Sequence, residues 1–391
     1  MTSKSKRIAY TLVALVLGIG IVMALTMAGE KTKGPIETIL TKASDAVTTV
    51  EDKIILEEKT DKRIDKLQWL KTLTADKNWY KHSKGIFFGA YDNNSEKSFQ
   101  PVIDLEDTLH TTFPLIHLYT AWGSKPEHQF PKSKIESILE LGSIPVITWE
   151  PWLAAFDNEA HPELKPIDTR DKDGMADVAN GVYDFYIKKW AQQAKKVGPI
   201  FIRLGHEMND PYRYPWGPQN NTAAEFIAAW KHVYNVFKEA GATNVIWTWS
   251  PHPAYGFFKD YYPGDAFVDY VAIGTLNYGP VATWAKWWSF DEIFGKYYTE
   301  LSSFKKPIML SEFGSLSFGG SRSKWFGDAL KDMPKKYPAV KSILFFHFDA
   351  DKTTTQQVLN WYIIDDKAVI KSITNQLKNW PDSLKFSKGI K

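Results

Sequence analysis

The sequence predicts an α/β fold of the (β/α)8, or TIM-barrel, type, and three observations lead there. Eight apolar, strand-like runs follow one another, each separated from the next by an amphipathic or polar stretch. The runs fill about 300 residues, the usual size of eight β/α units. Most of them end in a cluster of polar or aromatic residues, as expected where buried strands surface together at one barrel mouth.

In chain order the runs are "GIFFGAYD", "FPLIHLYTAWG", "IPVITWEPW", "IFIRLGHEMN", "NVIWTWSPH", "YVAIGTLNYG", "PIMLSEFGS" and "SILFFHFDA". Between the fourth and fifth, "NTAAEFIAAWKHVYNVFKEAGA" places Phe226, Trp230, Val233, Val236 and Phe237 at helical spacing, and Gly241 ends the helix. The run ends supply the candidate site: Tyr91-Asp92, His117 to Trp122, Trp149-Glu150-Trp152, His206-Glu207-Asn209, Trp247 to His252, Asn277-Tyr278, Glu312 and His347-Asp349.

Composition narrows the ligand. The formal net charge is +3 in 391 residues, too balanced for a nucleic-acid partner or a strongly anionic substrate. Sixteen Trp exceed what a core ordinarily needs, and indole makes a flat stacking face for sugar rings. There is no Cys, hence no disulfide and no thiolate metal site. A GxGxxG motif, a phosphate-binding loop and an HExxH motif are all missing, so no metal or other cofactor is expected. The chain is expected to act as a monomer.

Three segments are expected. Residues 1–28 form a signal anchor or a signal peptide: Lys4, Lys6 and Arg7 precede the uncharged run from Ile8 to Ala28, which at about 1.5 Å per residue can span a bilayer. The basic flank stays cytoplasmic, so the rest of the chain lies outside, membrane-anchored or secreted. Residues 29–76, rich in Lys, Thr, Glu and Asp, read as a polar, partly helical stalk. Residues 77–391 form the barrel domain.

Two carboxylates carry the chemistry. Glu207 follows the fourth strand and Glu312 ends the seventh, and a barrel mouth can hold two such carboxyls about 5 to 5.5 Å apart, the separation of a retaining glycosidase. One attacks the anomeric carbon, and the other donates a proton to the leaving oxygen. Arg203, inward-facing on the fourth strand, is placed to pair with Glu312. His206 either donates to a sugar hydroxyl or carboxylate or is structural. Asn209 bonds either backbone or a hydroxyl.

These residues resemble glycoside hydrolase family 26, retaining barrel enzymes that include β-mannanases, mixed-linkage β-glucanases and some β-xylanases. The resemblance runs from about Gly85 to Lys378, and its most specific parts are "RLGHEMND" with the following "PWG", "AAWKHVYNVFKEAGATNVIWTWSPH" and "PIMLSEFGS". It implies Glu207 as acid/base, preceded by His206, and Glu312 as nucleophile. Arg203, Asn209 and Trp216 fall on positions that support the acid/base loop and the sugar subsites, and Trp149 and Trp249 on aromatics bordering the cleft. His117, Trp122, Trp152, Tyr278 and His347 complete the expected substrate-binding set. Three positions depart from the family pattern. Asp210 stands where many relatives have Gly, Leu276 where they have the Tyr that bonds the nucleophile (Tyr278 comes two residues later), and His347 where barrels of this clan often present Trp.

The expected function is endo-hydrolysis of an uncharged β-linked polysaccharide by double displacement, β-1,4-mannan ahead of mixed-linkage β-glucan because mannanase is the commoner activity of the family it resembles. The rival reading is a barrel that keeps the glycan cleft without hydrolysis and serves extracellular polysaccharide synthesis. The "WAKWW" cluster, Trp284 to Trp288, is either a stacking rim or packing beneath a loop.

Overall fold

Eight parallel strands close on themselves in chain order, as expected. In the computed structural model they are β1 (Phe87–Asp92), β2 (Leu115–Ala121), β3 (Ile144–Glu150), β4 (Ile200–Leu204), β5 (Val245–Trp249), β6 (Tyr270–Asn277), β7 (Ile308–Ser315) and β8 (Val340–His347), and β8 pairs back onto β1. The structure describes residues 63–74, 78–82, 85–95, 97–282, 285–352 and 357–381. The apolar run at 8–28 and most of the expected stalk lie outside the described residues, as does Trp284. Among the described residues no helix is long and apolar enough to cross a membrane.

Strand alternation sorts the side chains. On β4, Phe201 joins the barrel interior, Ile200, Ile202 and Leu204 pack outward against the helices, and Arg203 takes the next inward position. The same period on β2 turns Leu115, His117 and Tyr119 inward, and on β3 Ile144, Val146, Thr148 and Glu150. The lower interior is thus apolar and the upper interior polar. The outer helices follow ordinary rules: Ala223–Ala240 starts at a Thr222–Glu225 capping box and stops at Gly241, whose φ of 82° suits glycine.

β7 breaks the alternation. Its register against β6 and β8 shifts between Leu310 and Phe313, so that Gly274 of β6 lies opposite Glu312. Met309 points inward and Leu310 outward; the extra residue at Ser311 then lets Glu312 point inward while Phe313 packs outside.

The barrel floor is built by residues assigned above to the stalk. Residues 63–73 are helical, and Leu67, Trp69 and Leu70 pack with Trp79, Phe87, Phe201 and other inward residues of the barrel bottom. Buried Arg63 pairs with Glu106 at 2.7 Å and donates to the carbonyls of Leu141 and Phe113. With residues 63–73 packed on the barrel bottom, the barrel domain reaches further toward the N-terminus than residue 77.

Candidate active site

Glu312 sits at the upper end of the barrel interior with two donors on one oxygen. Arg203 Nη1 lies 2.7 Å from Oε1, and the Tyr119 hydroxyl donates to the same atom at 2.8 Å. Arg203 is itself fixed by bonds to Ser250 and Thr148. Burial works against ionising Glu312, but the Arg203 charge, the Tyr119 and Arg203 hydrogen bonds and the nearby Arg213 outweigh it and hold the carboxyl below its usual range. The result is a buried, ionised, oriented carboxylate.

Glu207 approaches from the loop after β4. Its backbone is left-handed, with φ 55°, following Gly205 at φ 49°. A non-glycine residue in that region is strained by about 1–2 kcal/mol. The turn is clamped by the Glu207 N–H donating to Ser250 O at 2.7 Å and the Asp210 N–H donating to Glu207 O at 2.9 Å. Arg213 Nη1 lies 3.4 Å from Glu207 Oε2.

Gly274 of β6 locates the two carboxyls relative to each other. A Cβ on that glycine would stand 3.3 Å from Glu312 Oε2 and 3.6 Å from Glu207 Oε1. Both oxygens therefore border one small space, no more than about 7 Å apart, which accommodates the separation used in double displacement. A side chain at 274 would occupy that space.

The cleft continues on both sides of the pair. One half is lined by residues such as His252, Trp288 and Tyr297, the other by Tyr91, Tyr119, Glu150, Trp152 and Phe348. Glu312, Arg213, Leu276 and Tyr278 border both.

The remaining expected residues divide. His206 and Trp152 line the second half of the cleft. His206 is buried, its Nε2 is 2.9 Å from the Tyr214 hydroxyl, and burial with the charges of Arg203 and Arg213 keeps the ring neutral. Asn209 clamps the loop, donating to the carbonyls of His252 and Gly256 and accepting from the His252 N–H. His117 lies beneath the site, bonded to Thr148; burial and Arg203 push its pKa down to about 3.

Four tryptophans expected at the cleft are core instead. Trp149 and Trp249 occupy outward positions on β3 and β5, Trp122 packs on Trp149 at 4.6 Å, and Trp216 is buried against Tyr214 with its indole N–H donating to His206 O. Each is at most 1% exposed, so none offers a face to a sugar. His347 also lies away from the cleft lining: it pairs with Asp92 at 2.7 Å and stacks on Tyr362. Tyr278 packs edge-on against Trp361, and the tyrosine bonded to Glu312 is Tyr119. Within the strand end His117 to Trp122 the sequence reading assigned Tyr119 no role of its own, although the β2 alternation that turns His117 inward turns Tyr119 inward as well.

One group of side chains has the composition of a metal site. Glu207, Asp210 and His252 bring one ligand atom each within 4.8 Å of one another. Asp210 Oδ1 accepts from the Tyr212 N–H, His252 Nδ1 accepts from the Ala254 N–H, and Glu207 Oε2 pairs with Arg213.

Comparison with known proteins agrees with this architecture. The family model for glycosyl hydrolase family 26 matches residues 168–314, a span that includes both glutamates. Endoglucanase H of Acetivibrio thermocellus is 29% identical over 276 residues, 68% of this chain and 28% of that protein. A mannan endo-1,4-beta-mannosidase of Bacillus subtilis is 27% identical over 38% of each chain. The chain thus spans about a third of the length of these curated relatives. Among solved structures, GH26C from Muricauda sp. superposes with a TM-score of 0.58 at 16% identity, covering 80% of this chain and 92% of that one. The Bacillus subtilis mannanase man26 gives 0.53 at 18% identity, covering 78% and 88%. The chain is thus similar to glycosyl hydrolase family 26 over a stretch that includes both glutamates, and it shares the barrel fold of these solved structures.

Proposed function

We propose that this chain is a retaining endo-β-glycanase acting on an uncharged β-linked polysaccharide. The observation that carries the proposal is the shared space over Gly274, bordered by a carboxylate held ionised and by a second carboxyl on a strained loop. In this reading Glu312 attacks the anomeric carbon while Glu207 protonates the departing oxygen. The glycosyl ester on Glu312 is then released by water that Glu207 deprotonates, and two inversions retain the configuration. Arg203 and Tyr119 hold Oε1 of Glu312, leaving Oε2 toward the shared space as the attacking oxygen, and stabilise the carboxylate as it leaves. A cleft open on both sides of the pair suits attack within a chain.

β-Glucan is the first substrate of this proposal, because the endoglucanase relative matches 68% of the chain. Mannan is the second, favoured by mannanase relatives that match shorter stretches. A reducing-sugar assay on mixed-linkage glucan, cellulose, mannan and xylan, with proton NMR of the first product, tests both points. Retention predicts an initial β-anomer; an α-anomer, or no cleavage of any polymer, refutes the proposal.

The run at residues 8–28 extends the proposal to location: an exported enzyme, tethered or released by cleavage. Fractionation of producing cells checks this, and recovery of the full-length chain from the cytosol would overturn it.

A further inference from the structure

The half of the cleft lined by Tyr91, Tyr119 and Trp152 contains a third carboxylate that the two-glutamate mechanism does not use. Glu150, the last residue of β3, faces the same half as Tyr119, His206 and Glu312. Its Oε2 accepts from the Trp152 indole N–H at 3.1 Å. Its Oε1 lies 3.9 Å from His206 Nδ1, too long for a direct hydrogen bond, and that ring nitrogen is buried without a partner. A single hydroxyl has the right size to bond both atoms. Tyr214 meets the other nitrogen of the ring, which fixes its orientation.

Resting on the glycanase reading, we propose that Glu150 is a substrate-recognition residue: its carboxylate takes a hydroxyl of the sugar bound in this half of the cleft and turns away sugars that carry their own carboxylate. Three carboxylates, Glu150, Glu312 and Asp351, line this half, with Arg213 as the charged counterpart from the loop after β4. A uronate would add a fourth negative charge to that space, whereas a neutral hexose supplies hydroxyl donors.

The proposal implies a pH dependence of binding. Burial pushes the Glu150 carboxyl up to about 7; the Trp152 hydrogen bond and Arg203 oppose this, Glu312 reinforces it and Arg213 opposes it. His206, Tyr119 and Tyr214, which face the same space, stay neutral through this range. Glu150 thus becomes a full acceptor only as pH rises through about 7, and sugar binding tightens in the same direction.

The test uses the full chain with turnover slowed by Glu207→Ala, titrated calorimetrically with a mixed-linkage gluco-tetraose and with mannotetraose at pH 5.5 and 8.5. The better-bound sugar is expected to bind about 10-fold more tightly at the higher pH. Glu150→Gln added to this background should abolish the difference. Glu150→Asp, which keeps the charge, should weaken binding but retain the pH dependence and serves as a second variant should the first fail to fold. An unchanged pH dependence in Glu150→Gln, or a flat one in the parent, overturns the assignment while leaving the glycanase reading intact. If the wild-type chain cleaves no polymer and the parent variant binds neither sugar, the glycanase reading falls and takes this one with it.

Discussion

Replacing Tyr119 by Phe removes one hydroxyl from the Glu312 carboxylate and leaves the ring packing in place. Glu312 Oε1 then keeps only the Arg203 bond at 2.7 Å and loses the 2.8 Å donor opposite it. A hydrogen bond to a charged acceptor contributes about 1.5–3 kcal/mol, equivalent to about 1 to 2 pH units in the carboxyl's ionisation. Tyr119 stabilises the ionised form, so its loss raises the Glu312 pKa. The acidic limb of kcat/KM should move to higher pH by about 1 unit or more. The two chemical steps should respond differently. In the proposed double displacement, forming the glycosyl ester neutralises Glu312, so the bond is weaker in that transition state than in the free carboxylate, and above the acidic limb its loss should leave this step within about 10-fold of wild type. Hydrolysing the ester regenerates the charge, and that step should slow by about 10- to 100-fold. With an activated aryl β-glycoside the variant should show a burst and a glycosyl-enzyme detectable by intact-protein mass spectrometry. An acidic limb that superposes on wild type, with no burst, would refute the role given to Tyr119.

Three further outcomes are expected. Gly274→Ala should place a methyl 3.3 Å from Glu312 Oε2, lowering turnover by about 100-fold while circular dichroism and the melting temperature stay close to wild type. Glu207→Ala should slow polymer hydrolysis by about 10² to 10⁴ yet spare aryl glycosides whose leaving group needs no proton, which a comparison of the two substrates checks. Arg63→Ala strands buried Glu106 and should destabilise the domain by about 3–5 kcal/mol in urea unfolding, with the active-site pH profile unmoved.

The barrel was legible because it is written in local chemistry. Each strand shows as a short apolar run, and the charged residues at its end mark where it surfaces, so "FIRLGHEMND" announces both β4 and a site. Arg203 was legible for the same reason: two residues after buried Phe201, alternation turns it inward. Applied consistently, that alternation would also have moved Trp149 and Trp249 to the outer face and, among the strand-end residues already named, turned Tyr119 and Glu150 toward the cleft. An indole beside a polar strand end looks like a sugar platform until its parity is counted. The floor helix was hidden by composition, since Arg63 reads as a solvated stalk residue until Glu106 and two carbonyls are seen to receive it.

The sequence by itself determined the order and number of the strands, the end of the barrel where polar residues gather, and the two glutamates that meet there. Tertiary structure alone decided how those glutamates face each other. Simple alternation from Met309 would turn Glu312 out among the helices; the register shift at Ser311, set by pairing with β6 and β8, turns it in. The left-handed turn at Glu207 is likewise sustained by its bond to Ser250 on the neighbouring strand and by the loop closing behind it. Both features cost local energy that no sequence window records, because the contacts that offset it come from residues distant in the chain.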